Sequence, residues 1–309
     1  MGYLVLAILS SFSISLLVKD NETHGANTEV VLASNYVTAG AIGWAFLLLQ
    51  PPGSTGSRLS MSTTTLLLGL GGSLLWPGAF YLHMWGIRRY GMSLAGSVAR
   101  LSLTIPILFA LLVLGEVLTL LTALGIVSAF AAFVLLSPFR KPAADPATQS
   151  PGTHGRASET ADRSTLDRSA LWYFPTLLIV FGCVDLWANL FNTLAPGSER
   201  FIFVVLIFTG SGLLTWSTVL ARRTRLDRGS ILRGLLLGVP NFFSTFFLVE
   251  SLRAPALQGH SAIVYAIYSA AGVILAFVAG SVFWKEPLTG RNRWGVTVAV
   301  AAVALLNLG

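Results

Sequence analysis

Apolar runs long enough to cross a membrane recur along almost the whole chain, separated by short polar connections. A bilayer core of about 30 Å takes roughly 20 apolar residues in a helix. Ten stretches qualify, near residues 2–18, 29–50, 64–86, 91–115, 117–137, 170–192, 200–221, 230–250, 257–284 and 290–308. The pattern predicts an all-α polytopic membrane protein with ten transmembrane helices. One connection differs from the rest. "PFRKPAADPATQSPGTHGRASETADRSTLDR" (138–168) is rich in Pro, Ala, Ser and Thr and has no period. Such a composition buries too little apolar surface to fold, so it reads as a flexible polar linker. It divides the spans five and five.

The equal division invites a search for repeats. "GEVLTLLTALG" (115–125) aligns with "KEPLTGRNRWG" (285–295) at an offset of 170, matching Glu116, Leu118, Thr119 and Gly125 to Glu286, Leu288, Thr289 and Gly295. Upstream the offset is 163, and Gly71, Pro77, Phe80, Leu94 and Gly96 match Gly234, Pro240, Phe243, Leu257 and Gly259. The change of offset falls within the ninth span, as a real lengthening or as a misfit of the alignment. Nine matches in order predict an internal duplication: a first five-helix repeat over 1–137, the linker over 138–168, and a second repeat over 169–309. Five is odd, so the second repeat must enter the membrane opposite to the first. Inverted repeats of this kind build many secondary transporters, with substrate held near the midplane between the halves.

Composition agrees with the membrane reading. The 309 residues are 54% hydrophobic and 11% charged, with a mean hydropathy of +0.73, against about 25% charged in soluble domains. The net charge of +7 and sequence pI near 10.0 would suit nucleic acid in a soluble protein. Here the basic residues lie between apolar runs, where they hold loops on the cytoplasmic side, so no nucleic-acid partner is expected. Cys183 is the only cysteine, which excludes an internal disulfide and any multi-cysteine metal site. "MGYLVLAILS" has no basic flank and no clear cleavage site, and reads as the first membrane helix. With the N-terminus outside, sixteen Lys and Arg fall in inside loops, and Arg58, Arg200 and Arg253 fall outside. The positive-inside rule therefore favours both termini outside.

At "GEVLT…G" and "KEPLT…G", each closing a fourth span and opening a fifth, the chain resembles the EamA-type pattern of the drug/metabolite transporter superfamily. "SLLVK" (15–19) and "TIPILFALLVLGE" (104–116) are similar to that family too. The resemblance covers nearly all of the chain outside the linker. It implies two inverted five-helix repeats, cytoplasmic termini in opposition to the charge count, and a central cavity lined by helices 1, 3, 4, 6, 8 and 9. Members move amino acids, sugars, nucleobases and drugs, so the resemblance leaves the substrate open. Ala276 stands where the first repeat has Pro106, which puts in doubt the kink expected in the ninth helix.

Few polar residues interrupt the spans. Asp185, Asn189 and Asn192 share one face of the sixth. Ser93, Ser97, Arg100 and Thr104 form a stripe on the fourth, and Ser261, Tyr265 and Tyr268 one on the ninth. Asn241 lies in the eighth span, with Glu250 near its end, and the third span carries Trp76, Tyr81 and His83. Arg100 and Asp185 are the only charges well inside spans, opposite in sign and one in each half. A charge there calls for a partner and for protein or water around it. Two readings stand: a permanent pair holding the halves in register, or two cavity residues. In the second, Arg100 binds an anionic group bidentately, and Asp185 binds an ammonium group or exchanges a proton. Tyr265, Tyr268 and Trp76 could stack a flat substrate or simply pack. Glu116 and Glu286 read as structural acids, each capping the helix that follows it.

The expected function is secondary transport of a small polar metabolite by alternating access, an amino acid or similar zwitterion being the first candidate. "GLGGS" (69–73) lacks the Lys-Ser/Thr ending of a phosphate loop, so uphill transport would draw on protons or a counter-substrate. The partners expected are that small molecule and the bilayer, in the plasma (inner) membrane, with no cofactor and no metal. The alternatives are an intramembrane lipid-modifying enzyme and a non-transporting scaffold or sensor. The first lacks HExxH and any second acid or His near Asp185; the second has no need of polar stripes.

Overall fold

The computed structural model describes residues 1–49, 61–90, 99, 102–136, 168–283 and 290–308. Among them are ten α-helices and no strand: α1 (Gly2–Thr23), α2 (Thr28–Leu49), α3 (Thr63–Tyr90), α4 (Thr104–Leu112), α5 (Leu120–Leu136), α6 (Arg168–Leu194), α7 (Arg200–Ala221), α8 (Arg228–Arg253), α9 (Ser261–Phe283) and α10 (Gly290–Leu308). A 3-10 turn, Gly197–Glu199, joins α6 to α7. Among the described residues six helices, α1, α2, α3, α6, α7 and α8, are long and apolar enough to cross a membrane. The chain is a multi-pass integral membrane protein. The linker at 138–167, together with Ser93, Ser97, Arg100 and Glu286, lies outside the described residues.

The largest departure from the apolar pattern falls where two spans meet. "LFALLVLGEVLTLLTALG" is apolar almost throughout, yet α4 stops at Leu112 and α5 starts only at Leu120. Gly115 takes a φ of +67°, a backbone shape that costs glycine little, and it ends α4. The N–H of Glu116 then returns to Ala110 O at 3.1 Å, a wrap typical of helix C-termini. Pro106 sits in the first turn of α4, where its missing N–H is no loss. Similarly, α9 begins at Ser261 and not at 257. Residues 254–260 turn back on themselves, with Leu257 N to Ala254 O at 2.8 Å and Gly259 at φ +80°. From Ser261, α9 is one continuous helix of 23 residues.

Helices from the two parts of the chain pack chiefly on each other. α2 lies against α7 and α8, α3 against α6 and α7, α1 against α8 and α9, and α5 against α10. Small residues allow these approaches. Gly234 and Gly238, one turn apart on α8, face α2 so closely that a Cβ on either would collide with a main-chain oxygen, of Val31 or Asn35. The glycines of "GLGGS" serve the same end on α3: a Cβ at Gly69 would meet Leu206 at 2.6 Å, and one at Gly71 would meet Trp187 at 2.6 Å. Trp187 Nε1 donates to Leu68 O at 2.7 Å across this contact.

Polar contacts gather at the two ends of the helices. At one end Glu29, opening α2, accepts from Thr224 Oγ1 and Arg222 Nη1, both at 2.6 Å, and Asp20 pairs with Arg233. Asp227 caps α8 through Ser230 N at 2.7 Å, and that N–H holds its carboxyl below the ordinary range. Glu29 in turn holds the Arg222 guanidinium above its ordinary value. At the other end Glu199 accepts from Ser62 N (3.0 and 3.1 Å) and Ser62 Oγ (2.8 Å) ahead of α3. Arg200 pairs there with Glu250. Asn21, in the "NET" tripeptide, is buried at the end of α1 and is no surface acceptor for a glycan.

Candidate functional site

The polar face of α6 organises the site. Asp185, half-buried, sits midway along the helix; its main-chain oxygen accepts from Tyr265 OH of α9 at 2.8 Å. Ser102, just ahead of α4, brings its Oγ to 3.4 Å from Asp185 Oδ2 and donates to Ala99 O at 2.6 Å. One turn on, Asn189 is buried and donates through Nδ2 to Ser261 Oγ at 3.3 Å. Another turn brings Asn192, whose Oδ1 accepts from Arg253 Nε and whose Nδ2 reaches Val249 O at 3.5 Å. The face therefore touches the segment ahead of α4, then α9, then α8.

Ser261 is a junction. Its N–H and the N–H of Ala262 open α9 and have no partner within that helix. Both go to the Glu116 carboxylate, Ser261 N to Oε1 at 2.8 Å and Ala262 N to Oε2 at 3.0 Å, while Ser261 Oγ donates to Oε1 at 2.5 Å. Gly115 makes this possible by ending α4 and turning Glu116 towards α9. The acid does cap a helix N-terminus, but not that of α5, the helix next in the chain. The cap lies 145 residues along the chain. What decided it was which helix start lies within reach of the carboxylate, and sequence spacing carries no such information.

The remaining expected residues divide between apolar packing and buried polar pairs. Trp76, Tyr265 and Tyr268 belong to one buried apolar cluster, with Tyr265 fully enclosed. Tyr268 OH lies 3.3 Å from Ser244 Oγ of α8. Asn241 is buried and donates through Nδ2 to Asn35 Oδ1 at 3.1 Å, joining α8 to α2. Asn35 was not among the expected residues, although an asparagine in the apolar "VVLASNYVTAG" is the same kind of signal as Asn241. Arg253 was counted only as a loop charge. Among the described residues no three His, Cys, Asp or Glu side chains gather as a metal site.

No family model matches the chain. It is 26% identical over 312 residues to a protein of Haemophilus influenzae described only as uncharacterized, covering 99% of this chain and 97% of that one. Its fold is similar to that of a solved crystal structure, with a TM-score of 0.66 and 16% identity over 98% of both chains. That likeness concerns the fold along the full length.

Proposed function

We propose that the chain is a secondary transporter of a small polar metabolite, working by alternating access and built as two inverted five-helix repeats of the EamA type. The observation that carries the reading is the polar face of α6. Its acid and amides lie inside an apolar helix and are held by residues from both halves of the chain. Intramembrane acids of this kind mark substrate or ion pathways by default. The paired ends of the helices support the inverted repeat. Glu29 opens α2 and binds ahead of α8; Glu199, 170 residues later, opens α7 and binds ahead of α3 at the opposite end. The packing pairs agree: α2 on α8 answers to α7 on α3, α1 on α8 to α6 on α3, and α1 on α9 to α6 on α4. Two near-equivalent halves give the two near-equivalent states that alternating access needs.

In this reading Asp185 binds a substrate ammonium group or carries a proton, Arg100 receives the substrate's anionic group, and Asn189, Asn241, Tyr265, Tyr268 and Trp76 shape the site. The substrate class is an amino acid or similar zwitterion, and the membrane is the plasma (inner) membrane. Radiolabelled amino-acid flux into proteoliposomes is the test. Asp185→Asn and Arg100→Ala should each abolish uptake while the protein stays folded. Unchanged flux in both variants would sink the assignment.

A further inference from the structure

Arg253 closes α8, and its guanidinium is locked against the end of α6. Nε donates to Asn192 Oδ1, and Nη2 donates to Ala195 O at 3.3 Å. The guanidinium carbon lies 5.3 Å from the Phe191 ring centre. Nη1 rests against Gly197, in the space a Cβ would take. Every one of these neighbours is neutral. Glu250, the nearest acid on the same helix, pairs with Arg200. Among the described residues no carboxylate pairs with Arg253, whose charge stays beside the Arg200–Glu250 pair. The last carbonyls of α6 supply a partial negative charge of about half a unit, which offsets only part of that charge.

We infer that this mouth between α6 and α8 is an anion site, in which Arg253 takes a carboxylate or phosphate group. Its engaged Nε and Nη2 fix the plane of the fork, leaving the end-on edge, one hydrogen each from Nη1 and Nη2, for an oxyanion, the pairing guanidinium geometry favours. The site stands on the same face of α6 as Asp185, about 10 Å along the helix axis, where the polar face meets the helix ends. The anion could be the phosphate of an acidic lipid or a free solute. The inference goes beyond transport and does not depend on it.

The test uses the purified full chain in a neutral detergent, with inorganic phosphate replacing chloride at constant ionic strength. Thermal stability should rise saturably with phosphate. Arg253→Gln should raise the half-saturating phosphate at least tenfold, whereas Arg222→Gln, at the other end of the helices, should leave it unchanged. Should Arg253→Gln fail to fold, phenylglyoxal labelling of the unaltered protein gives the same answer: phosphate should slow modification of Arg253 severalfold and leave Arg222 unaffected. Repeating the titration in phosphatidylglycerol and in phosphatidylcholine vesicles assigns the source. A higher half-saturation with phosphatidylglycerol identifies the lipid phosphate, and equal values identify a free anion; either supports the site. A phosphate response equal in Arg253→Gln, or no response and no protection, overturns it.

Discussion

Removal of the Glu116 carboxylate should weaken the whole molecule and not merely fray one helix. Three donors at the start of α9 depend on it, and the residue is half-exposed, so water can replace part of what is lost. Losing an N-cap acceptor costs about 0.5–2 kcal/mol, and a hydrogen bond to a charged group contributes about 1.5–3 kcal/mol before such replacement. Glu116→Ala should therefore destabilise by about 2 kcal/mol, and Glu116→Gln, which keeps one acceptor oxygen, by about half as much. Ser261→Ala removes the hydroxyl from both Glu116 and Asn189 but leaves the backbone donor, for about 1 kcal/mol. The hydroxyl–carboxylate bond is lost in either single variant, so the double variant should fall short of additivity by about 0.5–1 kcal/mol. Unfolding by dodecyl sulfate in mixed micelles, monitored by circular dichroism, measures each corner of the cycle. If the acid capped α5 instead, the two substitutions would add within about 0.3 kcal/mol, and that result would refute the reasoning.

Gly238→Ala drives a methyl into Asn35 O, a main-chain atom that moves only if α2 and α8 separate, and should cost about 1–3 kcal/mol in the same assay. Gly78→Ala, where nothing lies within 4 Å of the added carbon, is the control and should not destabilise. Asn35→Ala and Asn241→Ala each break the amide pair joining α2 to α8; each should cost about 0.6 kcal/mol and at most about 1.7, with the double variant no worse than the single ones. The Asp227 carboxyl is held below its ordinary value by Ser230 N, so its contribution to stability is complete above about pH 4 and lost as pH falls through the lowered value. Asp227→Asn should remove that acid-side loss, read as the slope of the unfolding midpoint between about pH 5 and 3.

Much of the fold could be read from where polarity interrupts apolar runs. The bounds of α7, 200–221, coincide with the run because arginines flank it. Where apolarity is unbroken the pattern is silent. The gap between α4 and α5 depends on one glycine at positive φ, and the start of α9 on a turn of seven residues carrying another. The glycines of "GLGGS" could be excluded from phosphate binding because no Lys-Ser/Thr pair comes after them. Their actual use, letting Trp187 and Leu206 approach α3, involves partners more than a hundred residues away.

The site divides along the same line. Asp185, Asn189 and Asn241 announce themselves because a polar group in an apolar helix must be satisfied, and each is engaged by protein atoms. That rule demands a partner without saying which. Glu116 shows the consequence, since sequence proximity offered it the start of α5 and the packed bundle gave it the start of α9. Arg253 shows the converse: by position it is a loop charge, and its cradle exists only once Asn192, Ala195 and Gly197 are folded around it. Residue type tells which groups need company, and helix packing decides whether that company is another side chain or is left to a ligand. Asn189 belongs to the first case, its amide engaged within the bundle. Arg253, whose hydrogen bonds go to neutral groups, belongs to the second.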